Sequence, residues 1–138
     1  MSYNRPKVMA ILNITPDSFS DGGKIFSIVQ MKKTVEEMVL SGVDIIDIGA
    51  ESTRPGAKAI TAEEEIERLE MALPYVKELI RGTNIKISLD SRHFTALEHF
   101  IEYIDLVNDV ECGNDIKILD LVRDYKKQYS FYFSTSVP

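Results

Sequence analysis

Five short apolar runs alternate with four amphipathic stretches along the chain, and this alternation narrows the possible folds more than any other feature. The apolar runs are typical of strands because they are brief and rich in β-branched residues. The stretches between them repeat apolar residues every three or four positions, as amphipathic helices do. We predict strands at 7–12, 44–48, 86–89, 104–107 and 130–135, and helices at 27–41, 61–82, 93–101 and 115–125. Such alternation predicts an α/β fold with parallel strands joined by right-handed helical crossovers.

Two α/β architectures fit this order, a doubly wound open sheet and a (β/α) barrel. No glycine-rich dinucleotide fingerprint opens the first helix, which weakens a Rossmann interpretation but leaves other open sheets as alternatives. Within the second helix, Pro74 removes a backbone donor and clashes with the preceding turn. We therefore expect a kink there, or two abutting helical pieces.

The charge balance and the cysteine count exclude several classes of partner and site. With 16 Lys and Arg against 22 Asp and Glu, the net charge is −6, which disfavours nucleic acid because its binding depends on cations that neutralise phosphates. A single cysteine, Cys112, cannot form an intramolecular disulfide. No apolar run approaches the roughly 18 residues of a membrane span, and the N-terminus lacks the apolar core of a signal peptide. We therefore expect a cytoplasmic protein that binds neither nucleic acid nor membrane.

Polar or glycine residues follow each of the first four apolar runs directly. They are Asn13, Gly49 with Glu51, Asp90, and Asn108 with Asp109. In parallel α/β folds the carboxyl ends of the strands share one face, so these side chains should converge there. Aspartate and asparagine also start turns and cap helices, which is common at any single position. Because all four strand ends follow the pattern, a binding site is the favoured interpretation.

The connections after the first two strands, residues 13–26 and 49–60, are long. Such connections usually contain roughly 2–6 residues. Long loops on this face bind substrate or close over it. In the second loop, Ser52, Thr53 and Arg54 offer hydroxyl and guanidinium donors that suit anionic oxygens, although a solvated polar loop would have the same composition.

Two long segments resemble a known family. ILNITPDSFSDGG at 11–23 and DIGAESTRPGA at 47–57 are similar to the two signature stretches of dihydropteroate synthase, an enzyme of folate biosynthesis. ISLDS at 87–91 and VNDV at 107–110 stand in the right order to be its third and fourth strand ends. The resemblance implies a (β/α)₈ barrel of the TIM type. Residues 1–138 would form its N-terminal part, with about four βα units and a fifth strand.

The resemblance also implies an activity. The family joins p-aminobenzoate to 6-hydroxymethyl-7,8-dihydropterin pyrophosphate, giving 7,8-dihydropteroate and pyrophosphate with the help of Mg²⁺. By the same resemblance, Asn13 would help hold the magnesium ion and the pyrophosphate. Asp90 and Asn108 would hydrogen-bond the edge of the pterin ring, where a carboxylate accepts from adjacent N–H donors and an amide both donates and accepts.

The two long loops would supply the other substrate contacts that the resemblance implies. Thr53 and Arg54 would contact the pyrophosphate and the p-aminobenzoate region. Phe19 and Pro55 would help form the p-aminobenzoate pocket. No residue is assigned as a catalytic base, because a neutral aromatic amine attacks without needing one.

The number of predicted strands falls short of a closed barrel, which has eight strands and typically about 250 residues. With five strands, the first and last would have unpaired edges, and the inner face would be uncovered. We therefore expect self-association, a complementing second half, or instability, and no full turnover from one isolated chain. A non-catalytic pterin-binding remnant is the alternative. A pterin-binding methyltransferase barrel shares the fold, but the two loop segments favour the synthase.

Several other titratable residues are interpreted as structural. Glu63 to Glu65 predict a solvated first turn of the second helix, where the macrodipole favours acidic residues. His93 and His99, six residues apart, face different sides of a short helix, so surface or core roles are favoured over a shared metal. Asp47, within the second strand, is expected to point into the barrel as part of a polar network near Asn13.

Overall fold

The strands and helices follow the predicted order. In the computed structural model, residues 5–15, 28–52 and 58–131 are described. The strands are β1 (Met9–Asn13), β2 (Ile45–Gly49), β3 (Lys86–Asp90), β4 (Leu106–Asp109) and β5 (Gln128–Phe131). The helices are α1 (Ile28–Leu40), α2 (Ala62–Leu79), α3 (Phe94–Phe100) and α4 (Ile116–Asp124), with a 3₁₀ turn at Ile101–Tyr103. Of the helices in this described part of the chain, none combines the length and the apolar character that crossing a bilayer requires.

The strands lie side by side in chain order, from β1 to β5, and every neighbouring pair is parallel. A doubly wound sheet reverses its strand order at a switch point. No reversal occurs among the described strands, so the topology is that of a (β/α) barrel and not that of the doubly wound alternative. Within the described residues, β1 and β5 each pair with one neighbour.

The hydrophobic core lies between one face of this sheet and the helices. Leu12, Ile48, Leu89 and Val107 occupy matching register positions on four strands, and each is at most 1% exposed. Buried apolar residues from all four helices pack with them. Burying one such side chain contributes about 1.5–3 kcal/mol. Because side chains alternate along a strand, the opposite face carries the intervening residues, which are polar toward the strand ends.

Helix α2 begins with a complete capping box. The Thr61 hydroxyl accepts the N–H of Glu64 at 3.2 Å, and the Glu64 carboxylate accepts the N–H of Thr61 at 3.0 Å. Pro74 lies inside the helix, which continues without interruption over 18 residues, so the expectation of two abutting pieces is wrong. The proline removes one bond of the helical ladder, while the buried Leu73 and Val76 on either side hold the helix against the core.

The strand bounds differ from the predicted ranges by one or two residues, as in β1, which begins at Met9 and not at residue 7. β4 begins and ends two residues later than the predicted range 104–107, because the polar Asn108 and Asp109 belong to the strand and do not follow it. β5 begins at Gln128, two residues before the predicted range 130–135. Residues 132–135 of that prediction lie outside the described residues.

Candidate functional site

The strand-end residues lie in one row across the sheet. The register pairs Asn13 with Gly49, Gly49 with Asp90, Asp90 with Asn108, and Asn108 with Ser130. Neighbouring strands are about 4.8 Å apart, so one small ligand can reach adjacent members of the row. The structure therefore brings together three of the predicted binding residues, Asn13, Asp90 and Asn108.

Gly49 leaves space in the middle of this row. A Cβ atom added to it would lie 3.4 Å from Oδ1 of Asn13 and 3.5 Å from Oδ2 of Asp90. The two polar side chains therefore border the space above the glycine from both sides. A branched side chain at this position would occupy that space, so a small residue is needed here to keep it open.

A buried polar pair lies next to the row. Nδ2 of Asn108 donates to Oδ2 of Asp47 at 2.9 Å, and the two residues are 4% and 3% exposed. Among the described residues, the other side-chain oxygens of this pair and the hydroxyl of Ser88 are buried without a hydrogen-bond partner. An unpaired buried polar atom costs about 1–3 kcal/mol. The polar network was expected near Asn13, whereas the structure joins Asp47 to Asn108. The unpaired oxygens of this pair suit a ligand that supplies hydrogen-bond donors.

The pKa of Asp90 is unusually high for an aspartate. Burial disfavours its ionised form, and neighbouring carboxylates, above all that of Asp47, add repulsion, so the pKa of Asp90 rises from 3.8 to about 7. Near neutral pH the group can accept hydrogen bonds as a carboxylate or donate one as an acid. Shifts of this kind are typical of functional sites.

The raised pKa of Asp90 predicts that the free energy of unfolding falls as the pH rises from 3.8 to about 7. In this range Asp90 keeps its proton in the folded chain and loses it in the unfolded chain. The folded state then binds more protons, and stability decreases with pH wherever that is so. Asp90→Asn does not titrate and should flatten this part of the profile. Denaturant unfolding at several pH values measures the difference, and parallel profiles for the two proteins would contradict the raised pKa.

An open cavity of about 450 Å³ lies beside Asp90, and Arg92 is among the residues that line it. Nε and Nη2 of Arg92 donate to the two carboxylate oxygens of Glu51 at 2.9 and 2.7 Å, and Nη1 lies 3.7 Å from Oε1 of Glu111. Arg92 thus connects the segments that follow β2, β3 and β4. Arg92 was not predicted as a site residue, although its position two residues after Asp90 places it at the same strand end.

Glu65 is buried, contrary to the expectation of a solvated first turn for α2. The residue is 1% exposed, accepts the hydroxyl of Ser91 at 2.9 Å and contacts Nδ1 of His93 at 2.7 Å. Burial raises the pKa of the Glu65 carboxyl. The physical reason for the difference is that partners 26 and 28 residues away compensate for the loss of water around the carboxylate. Glu63, in the same turn, is exposed as expected.

Four of the predicted binding residues, Phe19, Thr53, Arg54 and Pro55, lie outside the described residues. Their roles stay predictions. Within residues 5–15, 28–52 and 58–131, no group of three or more His, Cys, Asp or Glu side chains is arranged to hold a metal ion.

The chain is similar to enzymes of one family. The family described as "Pterin binding enzyme" matches residues 9–135. The dihydropteroate synthase of Staphylococcus haemolyticus is 40% identical over 126 residues, which cover 90% of this chain and 46% of that protein. The structure of the Xanthomonas albilineans dihydropteroate synthase with 4-aminobenzoic acid superposes with a TM-score of 0.76 at 34% identity, over 94% of this chain and 47% of that one. The Anaplasma phagocytophilum dihydropteroate synthase with bound 6-hydroxymethylpterin-monophosphate superposes with a TM-score of 0.78 at 33% identity, over 89% and 47%.

These similarities bear on both the fold and the family. The chain spans about half the length of the dihydropteroate synthases that it matches. Its five parallel strands and the helices between them form part of a (β/α) barrel of the TIM type, which confirms the predicted fold class. The resemblance seen in segments 11–23 and 47–57 is confirmed as well. Because the family match extends over most of the chain, the protein belongs to the pterin binding enzymes.

Proposed function

We propose that this chain carries the pterin-binding strand ends of a dihydropteroate synthase. In the reaction of a dihydropteroate synthase, p-aminobenzoate joins 6-hydroxymethyl-7,8-dihydropterin pyrophosphate to give 7,8-dihydropteroate and pyrophosphate, which is a step of folate biosynthesis. The observation that supports this function most strongly is that Asp90 and Asn108 are register partners on neighbouring strands. Beside them, one side-chain oxygen each of Asp47 and Asn108 is buried without a hydrogen-bond partner among the described residues. The pterin monophosphate bound by the Anaplasma phagocytophilum enzyme supports a pterin as the ligand.

Asp90 and Asn108 offer hydrogen-bond acceptors to the edge of a pterin ring, which presents a ring N–H and an amino group. As a carboxylate, Asp90 accepts from both donors at once. The amide nitrogen of Asn108 is engaged by Asp47, which leaves its Oδ1, without a partner in the described part of the chain, as a further acceptor. The oxygen atoms of Asp90 and Asn108 at these strand ends therefore favour a ligand edge that is rich in hydrogen-bond donors.

The same residues would assist bond breaking. When pyrophosphate departs, positive charge develops on the pterin and negative charge on the leaving group. The Asp90 carboxylate stabilises the positive charge. Thr53 and Arg54 bind the pyrophosphate and the p-aminobenzoate region in this proposal, and Phe19 and Pro55 line the p-aminobenzoate pocket.

Magnesium is the cofactor in this proposal. The ion prefers oxygen ligands and keeps several waters, so it is held by one or two protein oxygens together with substrate phosphates. The exposed carboxamide of Asn13, across Gly49 from Asp90, fits this need as a single neutral oxygen donor. A magnesium ion bound with the pyrophosphate would supply charge stabilisation for the leaving group.

A second half would complete the barrel and allow full turnover. A closed barrel has eight strands, whereas the described residues contribute five. Met9 and Ile11 of β1 are 37% and 62% exposed on the face that turns away from the helices, and further strands would cover them. We propose that further strands supply this cover in the cytoplasm, whether they belong to the same polypeptide, to a complementing second half or to a second copy of this chain.

Two measurements test the proposed function. Calorimetric titration with 6-hydroxymethylpterin monophosphate and Mg²⁺ should give saturable binding, and the absence of binding would contradict the proposal. Pyrophosphate release from 6-hydroxymethyl-7,8-dihydropterin pyrophosphate in the presence of p-aminobenzoate then separates the transferase from a non-catalytic pterin-binding protein. Release that begins when a chain with the remaining strands is added supports the transferase, whereas binding without release under either condition favours the non-catalytic alternative.

Replacing Gly49 with valine should weaken binding of the pterin monophosphate by about tenfold or more. The β-carbon alone would stay at ordinary contact distance from Asn13 and Asp90, so Gly49→Ala is the matched control and should bind nearly as the unaltered chain does. The γ-carbons of valine would extend into the space between the two polar groups. Calorimetry on both folded variants measures the difference. Equal affinity of the valine and alanine variants would show that the ligand does not use this space.

A further inference from the structure

A buried carboxylate of α2 holds the segment that follows Asp90. Glu65 is 1% exposed, and its Oε2 accepts the hydroxyl of Ser91 at 2.9 Å and contacts Nδ1 of His93 at 2.7 Å. The Ser91 hydroxyl in turn accepts the backbone N–H of His93 at 3.1 Å. Glu65, Ser91 and His93 thus form a closed hydrogen-bonded group, the Glu65 cluster, which the proposed chemistry does not use.

The Glu65 cluster fixes the direction of neighbouring side chains. Asp90, Ser91 and Arg92 line the open cavity, and Ser91 also binds the buried carboxylate of α2 together with His93. Arg92 is held a second time by its ion pair across the cavity. The segment directly after Asp90 is therefore held by α2 through Ser91 and His93, and by Glu51 through Arg92.

We propose that Glu65 is a positioning residue that holds Asp90 in its binding orientation through Ser91 and His93. The inference rests on the proposed function, because it assumes that Asp90 accepts hydrogen bonds from a pterin. An ionised Asp90 is repelled by the carboxylates around it and would turn toward water if the segment were loose. Holding the segment in advance removes this ordering cost from the binding step.

Glu65 also acts on Asp90 through its charge, which gives the inference a second readout. The carboxylates whose charges repel an ionised Asp90 belong to Asp47 on β2, Glu51 after β2, Glu65 on α2 and Asp109 on β4. All of them favour the protonated form, and the nearby cation, Arg92, is paired with Glu51. Removing the charge of Glu65 should therefore move the ionisation of Asp90 to lower pH.

Glu65→Gln and Glu67→Gln form the matched test. The first removes the buried charge and keeps the size of the side chain, and the second removes an exposed charge from the same helix. Affinity for 6-hydroxymethylpterin monophosphate is measured at pH values on both sides of the Asp90 pKa of about 7. Amide hydrogen exchange is measured at Ser91 to His93 without ligand.

We expect three changes in Glu65→Gln and none in Glu67→Gln. Affinity well above the Asp90 pKa should fall about tenfold, the midpoint of the pH profile should move to lower pH, and the amides of Ser91 to His93 should exchange faster. A Glu65→Gln variant that matches the unaltered chain in all three measurements would overturn the inference.

Two further outcomes distinguish a failure of the proposed function from a failure of the positioning role of Glu65. If the unaltered chain does not bind the pterin monophosphate, the proposed function fails, and the exchange measurement alone decides whether Glu65 holds the segment. If Glu65→Gln does not fold, Ser91→Ala replaces it, because this change removes the two hydrogen bonds of the Ser91 hydroxyl, to Glu65 and from the N–H of His93, and keeps the buried charge. Weaker binding by Ser91→Ala with an unmoved midpoint supports the inference, and unchanged binding overturns it.

Discussion

Replacing Asp90 with alanine is expected to weaken binding of 6-hydroxymethylpterin monophosphate by about a hundredfold. The carboxylate would otherwise accept two hydrogen bonds from the pterin edge, and a bond to a charged group contributes about 1.5–3 kcal/mol. A hundredfold change corresponds to about 2.7 kcal/mol, which is close to the lower end, about 3 kcal/mol, of the sum for two such bonds. Calorimetry at a pH well above the Asp90 pKa of about 7, where the group is ionised, measures the loss.

Two companion variants separate the loss of acceptors from a loss of fold. Asp90→Asn keeps the shape but replaces one acceptor oxygen with an NH₂ group that faces the pterin donors, so its affinity should fall nearly as far. Asp124→Ala removes an exposed carboxylate at the end of α4 and should bind as the unaltered chain does. If Asp90→Ala is folded and binds with unchanged affinity, Asp90 is not a pterin ligand.

The order of strands and helices could be predicted because each element has its own periodicity of apolar residues. Helix α1, for example, spans Ile28–Leu40 where residues 27–41 were predicted. The boundary of β4 was harder, because its last two residues, Asn108 and Asp109, are polar. Polar residues enter a strand where its inner face meets a ligand site, so the apolar pattern ends before the strand does.

The contacts that build the site could not be predicted from local patterns. Glu65 stands in a run of three glutamates, which by itself indicates a solvated helix start. Its burial depends on Ser91 and His93, which are 26 and 28 residues away. Arg92 likewise reaches Glu51 over 41 residues. These pairings follow from the order of strands in the sheet, and an open sheet and a barrel share the same alternation along the chain.

Replacing Asp109 with alanine is expected to lower the free energy of unfolding by about 3 kcal/mol, the largest loss of stability that we predict. This carboxylate is fully buried. It accepts the N–H of Glu111 at 2.8 Å, the N–H of Gly113 at 3.0 Å and the hydroxyl of Tyr129 at 2.7 Å. The first two bonds shape the turn after β4, and the third connects β5 to β4. Alanine would leave all three donors without this acceptor.

Denaturant unfolding of Asp109→Ala, Tyr129→Phe and the double variant tests this connection. Burial and the nearby carboxylate raise the pKa of Tyr129, so its hydroxyl stays a donor at neutral pH. Removing that hydroxyl deletes one of the three bonds and should cost about 1 kcal/mol. Because the alanine variant has already lost the same bond, the double variant should lose about 3 kcal/mol and not the sum of about 4. An additive loss would show that the two side chains are not coupled.

The position of Asp109 separates its effect on stability from any effect on ligand binding. Side chains alternate along β4, so Asp109 and Asn108 lie on opposite faces of the sheet. Asn108 belongs to the face that carries Asp47 and Asp90, whereas Asp109 connects the turn and β5 behind it. Under conditions in which Asp109→Ala remains folded, its affinity for the pterin monophosphate should therefore stay close to that of the unaltered chain. A large loss of affinity in that variant would mean that the turn after β4, and not the strand-end row alone, determines how the pterin is held.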